Sequence, residues 1–122
     1  MVIVILGILA AVALPKFIDL REKASFTALA GIGSAITSAS SANLMAKKLN
    51  KASATTFNDA AVCSRAAIDP LLAGGVPAGY DIFGPNGSDD GADNCATSTT
   101  VLCTLRTPDA IYGASFVLYC AR

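Results

Sequence analysis

The first fifty residues constrain the fold most, because they read as one helix that is too long for the chain to enclose. Residues 1–14 carry no charge, and only Gly7 lies outside the apolar set. From Lys16 to Asn50 there is no proline. At 1.5 Å per residue, a helix over residues 1–50 is about 75 Å long. No compact domain of 122 residues surrounds that length, so residues 1–24 are expected to protrude as a stem.

The second part of this helix, residues 25–51, is amphipathic. Leu29, Ile32, Ile36 and Ala39 recur at spacings of 3, 4 and 3, which places them on one helical stripe. An apolar stripe of this kind packs against a core. We therefore expect Leu29, Ile32 and Ile36 to join the helix to the rest of the domain.

Two residues interrupt the helical pattern of the stem. Pro15 has no amide hydrogen to donate to the Ala11 carbonyl, and its ring crowds that turn. Gly7 lies two turns earlier. The segment between Gly7 and Pro15 is the predicted place for a kink or local melting.

The chain changes character near Ala52. Residues 52–75 read as a loop with a short helix that ends at two glycines. Residues 78–122 contain three β-like runs, GYDIF, TTVLCTL and ASFVLYC, separated by turn residues. Strands joined by short links form an antiparallel sheet. The prediction is an α+β protein, with stem 1–24 and a globular head 25–122.

Composition narrows the possible functions. Nine basic residues balance nine acidic ones, so there is no long-range attraction for nucleic acid. Lys47, Lys48 and Lys51 could form a DNA or phosphate patch, but cations at a helix C-terminus are ordinary. There is no histidine, and no serine or threonine has a spacing that suggests a nucleophile and its base. We expect neither catalysis nor a cofactor.

The four cysteines indicate an oxidising compartment. Gaps of 31, 7 and 16 residues separate Cys63, Cys95, Cys103 and Cys120. A zinc site usually shows short paired spacings, whereas an even count in a small glycine-rich region is typical of disulfides. Four cysteines allow three pairings. A link between Cys103 and Cys120 across a hairpin is one of them.

The run VIVILGILAAVALPKFIDL resembles the N-terminal segment of bacterial type IV pilins and of type II secretion pseudopilins, with the order and spacing from Gly7 to Phe17 most specific. LLAGGVPAGYDI and VLCTL resemble mannose-sensitive haemagglutinin-type pilins. The family's basic leader and its Phe-Thr-Leu-Ile-Glu precede this segment, whereas this chain starts inside the apolar run. Processing by the prepilin peptidase and methylation would need those residues.

The resemblance implies a pilin fold and a filament of identical subunits. The stem would anchor the subunit in the inner membrane and then be buried in the filament core; about seven more apolar residues would bring it to the roughly 20 that span a bilayer. Partners would be sister subunits and the assembly machinery, with the filament on the cell surface and its ligand open. The residues implied for the filament core are Val2, Ile3, Val4, Ile5, Leu6, Ile8, Leu9, Val12, Leu14 and Phe17.

Further site residues follow from the same resemblance. A charged belt just beyond the core would pair between subunits or remain a solvated face: Lys16, Asp19, Arg21, Glu22 and Lys23. Asp89, Asp90 and Asp93 offer oxygen ligands for calcium, as in pseudopilin head loops, although such clusters are usually solvated turns. The related pilins favour the disulfide Cys63–Cys103, which leaves Cys95–Cys120.

The expected function is therefore structural: the major subunit of a type IV pilus used for adhesion, motility or DNA uptake. The alternative is a pseudopilin of type II secretion, which would form a short periplasmic filament. Two disulfides and an exposed loop rich in serine and threonine favour the pilus, whereas a calcium-dependent head would favour the pseudopilin.

Overall fold

The computed structural model describes residues 1–58, 61–85 and 94–122, except for the side chains of residues 14, 15 and 18. The described part is α+β, as expected. Its elements are helix α1 (Val2–Lys48), helix α2 (Arg65–Ile68), a 3₁₀ turn (Asp69–Leu71) and strands β1 (Asp81–Phe83), β2 (Thr100–Arg106) and β3 (Gly113–Tyr119).

Helix α1 runs without interruption from Val2 to Lys48, through Gly7 and Pro15. Its 47 residues span about 70 Å. The segment from Gly7 to Pro15 is thus helical in the single chain. The kink, and local melting in the assembled state, stay predictions.

The helix ends three residues before the predicted boundary at residue 51. Asn50 adopts a left-handed conformation, with φ at 53°. The Asn50 amide donates to the Lys47 carbonyl at 2.9 Å, and the Lys51 amide donates to the Ala46 carbonyl at 3.0 Å. These two bonds form a Schellman motif, which satisfies the last carbonyls and stops the helix.

The three strands form an antiparallel sheet in the order β1-β2-β3. Strand β1 lies within its β-like run, whereas β2 extends one residue beyond the second run, to Arg106, and β3 begins one residue before the third, at Gly113. The side chains of Val101, Cys103 and Leu105 alternate along β2 and are buried, as expected for a strand with one face on a core.

Helix α1 packs its C-terminal half mainly against β3. Leu29 and Ile36 are fully buried, and Ile32 is partly buried against the same core. The core also contains the fully buried side chains of Ile68, Leu105 and Leu118. The stripe read from the sequence therefore faces the sheet.

Candidate functional site

The stem presents apolar side chains in every direction. Met1 is fully exposed, and the described filament-core candidates are between 59% and 85% exposed: Val2, Ile3, Val4, Ile5, Leu6, Ile8, Leu9, Val12 and Phe17. The side chain of the tenth candidate, Leu14, lies outside the described part of the chain. Burial of one such side chain contributes about 1.5–3 kcal/mol of favourable free energy. Contact with an apolar partner would therefore stabilise this surface.

A helix that is apolar all round is characteristic of a buried environment. Exposed apolar patches of this extent mark interaction sites. Within the described residues, no helix reaches the length and hydropathy that crossing a membrane requires.

The charged belt surrounds α1 where it enters the head. Its five side chains, three basic and two acidic, are all exposed. Among the described residues, the ion pair within 4 Å is Arg65–Asp69 in the head, so none joins two residues of the belt. The belt therefore presents exposed charges of both signs that form no ion pair with one another within 4 Å.

A sixth charge, Asp109, lies beside the belt. Asp109 accepts a hydrogen bond from the Thr107 hydroxyl, and that bond holds the pKa of its carboxyl below the ordinary 3.8. The nearby positive charge of Arg21 lowers the pKa further. Arg21, Glu22 and Ser25 of α1 line one groove together with Asp109, Ile111 and Tyr112. The loop between β2 and β3 thus lies beside α1 at the belt.

Two hydroxyl groups join α1 to the backbone of β3. Thr37 donates its hydroxyl to the Val117 carbonyl at 2.9 Å. The Tyr119 amide donates to the Ser40 hydroxyl oxygen at 3.3 Å, and Ser40 donates to the Thr37 carbonyl at 2.8 Å. Ser40 is completely buried. The sequence pattern did not reveal this role for either residue.

The end of α1 is tied to the loop that follows it. The Asn43 side chain donates to the Thr55 carbonyl and accepts from the Thr55 amide, both at 2.8 Å. Lys47 donates to the Thr56 hydroxyl at 2.6 Å. Lys47 therefore has a structural partner, and both it and Lys48 lie in the last turn of the helix, where cations complement the helix dipole.

Arg65 organises the loop before β1. Its guanidinium donates to the carbonyls of Tyr80 at 2.8 Å and Pro77 at 3.0 Å, and also to the Val76 carbonyl. Asp69 accepts from the Val76 amide at 2.8 Å. Sequence reasoning did not select either residue. Their mutual ion pair at i,i+4 spacing is visible in the sequence, but their backbone partners are revealed by no side-chain motif.

The structure contains two disulfides, Cys63–Cys103 and Cys95–Cys120, which are the pairs that the family resemblance implied. They close separations of 40 and 25 residues. Such bonds typically add roughly 2–4 kcal/mol each. All four cysteines belong to the buried core. One bond joins the loop before α2 to the middle of β2, and the other joins the loop before β2 to the residue that follows β3.

The calcium candidates Asp89, Asp90 and Asp93 lie outside the described residues. Within residues 1–58, 61–85 and 94–122, no group of three or more cysteine, aspartate or glutamate side chains is placed to hold a metal ion.

Comparison with known proteins gives no match for this chain among family models, curated proteins or solved structures.

Proposed function

We propose that this chain is the major subunit of a type IV pilus, which polymerises into a filament on the bacterial surface. The exposed apolar stem carries the proposal. Nine described side chains from Val2 to Phe17, each at least 59% exposed, project from a helix whose other half is packed on a disulfide-bonded head.

Burial of the stems against one another supplies the driving force for assembly. The first 14 residues of each stem carry no charge on any face, so several neighbours can bind there at once. The small residues Gly7, Ala10, Ala11 and Ala13 allow close approach between helices. Contacts that relate one copy to the next without closing build an open helical array. The belt charges then pair between neighbouring copies.

The resemblance of residues 7–17 to pilins supports this function over other assemblies of apolar helices. The work of the protein would be mechanical and adhesive. A pseudopilin of type II secretion has the same architecture, so the physiological test has to separate the two.

The first experiment compares source cells with and without the gene by negative-stain imaging, together with an assay of secreted proteins. Loss of long thin fibres with normal secretion is the expected result. Intact fibres with substrates retained in the periplasm would assign the chain to the pseudopilins instead.

A variant pair tests the role of the stem. Leu9→Asp places a charge on the stem at a residue that is 63% exposed, and Leu49→Asp places the same charge at the other end of the helix, at 71% exposure. Neither position is in the core, so both heads should fold. We expect Leu9→Asp to abolish fibres and Leu49→Asp to retain them. Normal fibres with Leu9→Asp would exclude burial of the stem in the filament.

A further inference from the structure

The loop between β2 and β3, residues 107–112, brings an apolar side chain of the head next to the stem. Ile111 is 69% exposed. It lines a groove of about 320 Å³ with Arg21, Glu22 and Tyr112. Arg21 also lines a second groove, of about 450 Å³, with Phe17, Leu20 and Ala24. The two grooves share Arg21 and therefore adjoin.

Exposed apolar side chains also lie within the charged belt and at the start of the head. Phe17, Leu20 and Phe26 are 74%, 63% and 46% exposed. Phe26 contacts the Tyr112 ring edge-on, with centroids 5.1 Å apart, and Ile111 lies directly beside Tyr112 in the chain. Exposed apolar side chains thus occur among the belt charges and on this loop as well as on the stem.

The loop is rigidly built, so Ile111 is held in place. The Ala110 amide donates to the Thr107 carbonyl at 2.8 Å, and the Thr107 amide donates to the Tyr112 carbonyl at 3.0 Å. The Thr107 hydroxyl oxygen accepts from the Tyr112 amide at 3.2 Å. A preorganised apolar residue loses little conformational freedom when a partner covers it.

We infer that the loop 107–112 is a second contact between copies of this chain, in which Ile111 packs against the stem of a neighbouring copy. This inference rests on the proposed filament. Two observations favour a second copy as the occupant. The groove beside Ile111 adjoins, at Arg21, a groove lined by Phe17, which belongs to the stem surface that assembly buries. The charges around it, three basic and three acidic when Asp109 is included, are self-complementary and form no ion pair within 4 Å among the described residues.

Thiol labelling tests the contact. All four native cysteines are in disulfides, so one added thiol reports its own accessibility. Ile111→Cys is compared with Leu49→Cys, which has a similar exposure of 71%. A maleimide is applied to intact filaments and to detergent-dispersed subunits of each variant. We expect labelling of Ile111→Cys to fall about tenfold on assembly, and labelling of Leu49→Cys to be retained.

Cross-linking identifies the occupant. Subunits with Ile111→Cys are co-assembled with subunits that carry one cysteine at a stem position, scanned over residues 2–14, and mildly oxidised. A disulfide between copies at one or two neighbouring stem positions is the expected result. Protection from maleimide without any such cross-link would overturn the stem as the occupant.

These outcomes separate the two proposals. If the wild-type chain forms no filaments in its source cells, the proposed function fails. If filaments form and the thiol of Ile111→Cys reacts as fast in them as in dispersed subunits, only the loop contact is wrong.

Discussion

Gly33 of α1 and Phe116 of β3 lie so close together that a Cβ atom added at Gly33 would be 3.3 Å from the Phe116 Cβ. Gly31, on the exposed side of the same helix, has no atom within 4 Å of such a position. Of these two glycines, only Gly33 lies where a side chain would press against a neighbouring residue.

Alanine substitution should separate these two sites. Gly31→Ala should stabilise the protein by about 0.5–1 kcal/mol, because alanine is the better helix former. Gly33→Ala should destabilise it by about 1 kcal/mol or more, because Phe116 has to shift in a packed core. Thermal unfolding of the full chain in a mild detergent measures both. Equal gains in stability would contradict the close contact.

Removal of the Ser40 hydroxyl should weaken the attachment of α1 to β3. Ser40→Ala leaves the Tyr119 amide without its acceptor where α1 packs on β3. The free energy of unfolding should fall by about 1–3 kcal/mol. Ser38→Ala is the matched control, since Ser38 is exposed on the same helix. Denaturant unfolding should show a lower midpoint for Ser40→Ala alone. Similar midpoints for the two variants would mean that the hydroxyl is not needed.

Stability should depend on Asp109 in acid. The lowered pKa means that its contribution is fully present above the ordinary value of 3.8 and is lost as the pH falls through the still lower folded-state pKa. Asp109→Asn keeps a hydrogen-bond acceptor but does not titrate. The difference in melting temperature between wild type and Asp109→Asn should therefore shrink as the pH falls below the ordinary 3.8. A difference in melting temperature that stays constant as the pH falls would show that Asp109 does not contribute to the loss of stability in acid.

Loss of either disulfide should destabilise the head strongly. Replacing Cys63 and Cys103 together with alanine should lower the free energy of unfolding by about 2–4 kcal/mol, and replacing Cys95 and Cys120 by slightly less, because the loop is shorter. Non-reducing peptide mapping checks the pairs first. A peptide that joins Cys103 to Cys120 would show that the connectivity is wrong.

The sequence determined the features that depend on local periodicity. An uncharged run, a stripe at helical spacing and three alternating runs are each contained in a short window. The helix, its buried residues Leu29 and Ile36, and the approximate positions of the strands followed from them. The exposed stem also followed, because a helix of about 70 Å cannot be enclosed by a head this small.

The tertiary structure decided what depends on residues far apart in the chain. The Thr37 hydroxyl donates to the Val117 carbonyl, 80 positions away in the chain. The Asn43 side chain binds the backbone of Thr55. No side-chain pattern in the sequence reveals either bond. Cysteine spacing left three pairings open, and the fold brings Cys63 to Cys103. The end of the helix was fixed by the left-handed conformation of Asn50. Ile111 reads as an ordinary loop residue, and only the packing of the β2–β3 loop on α1 places it beside the stem.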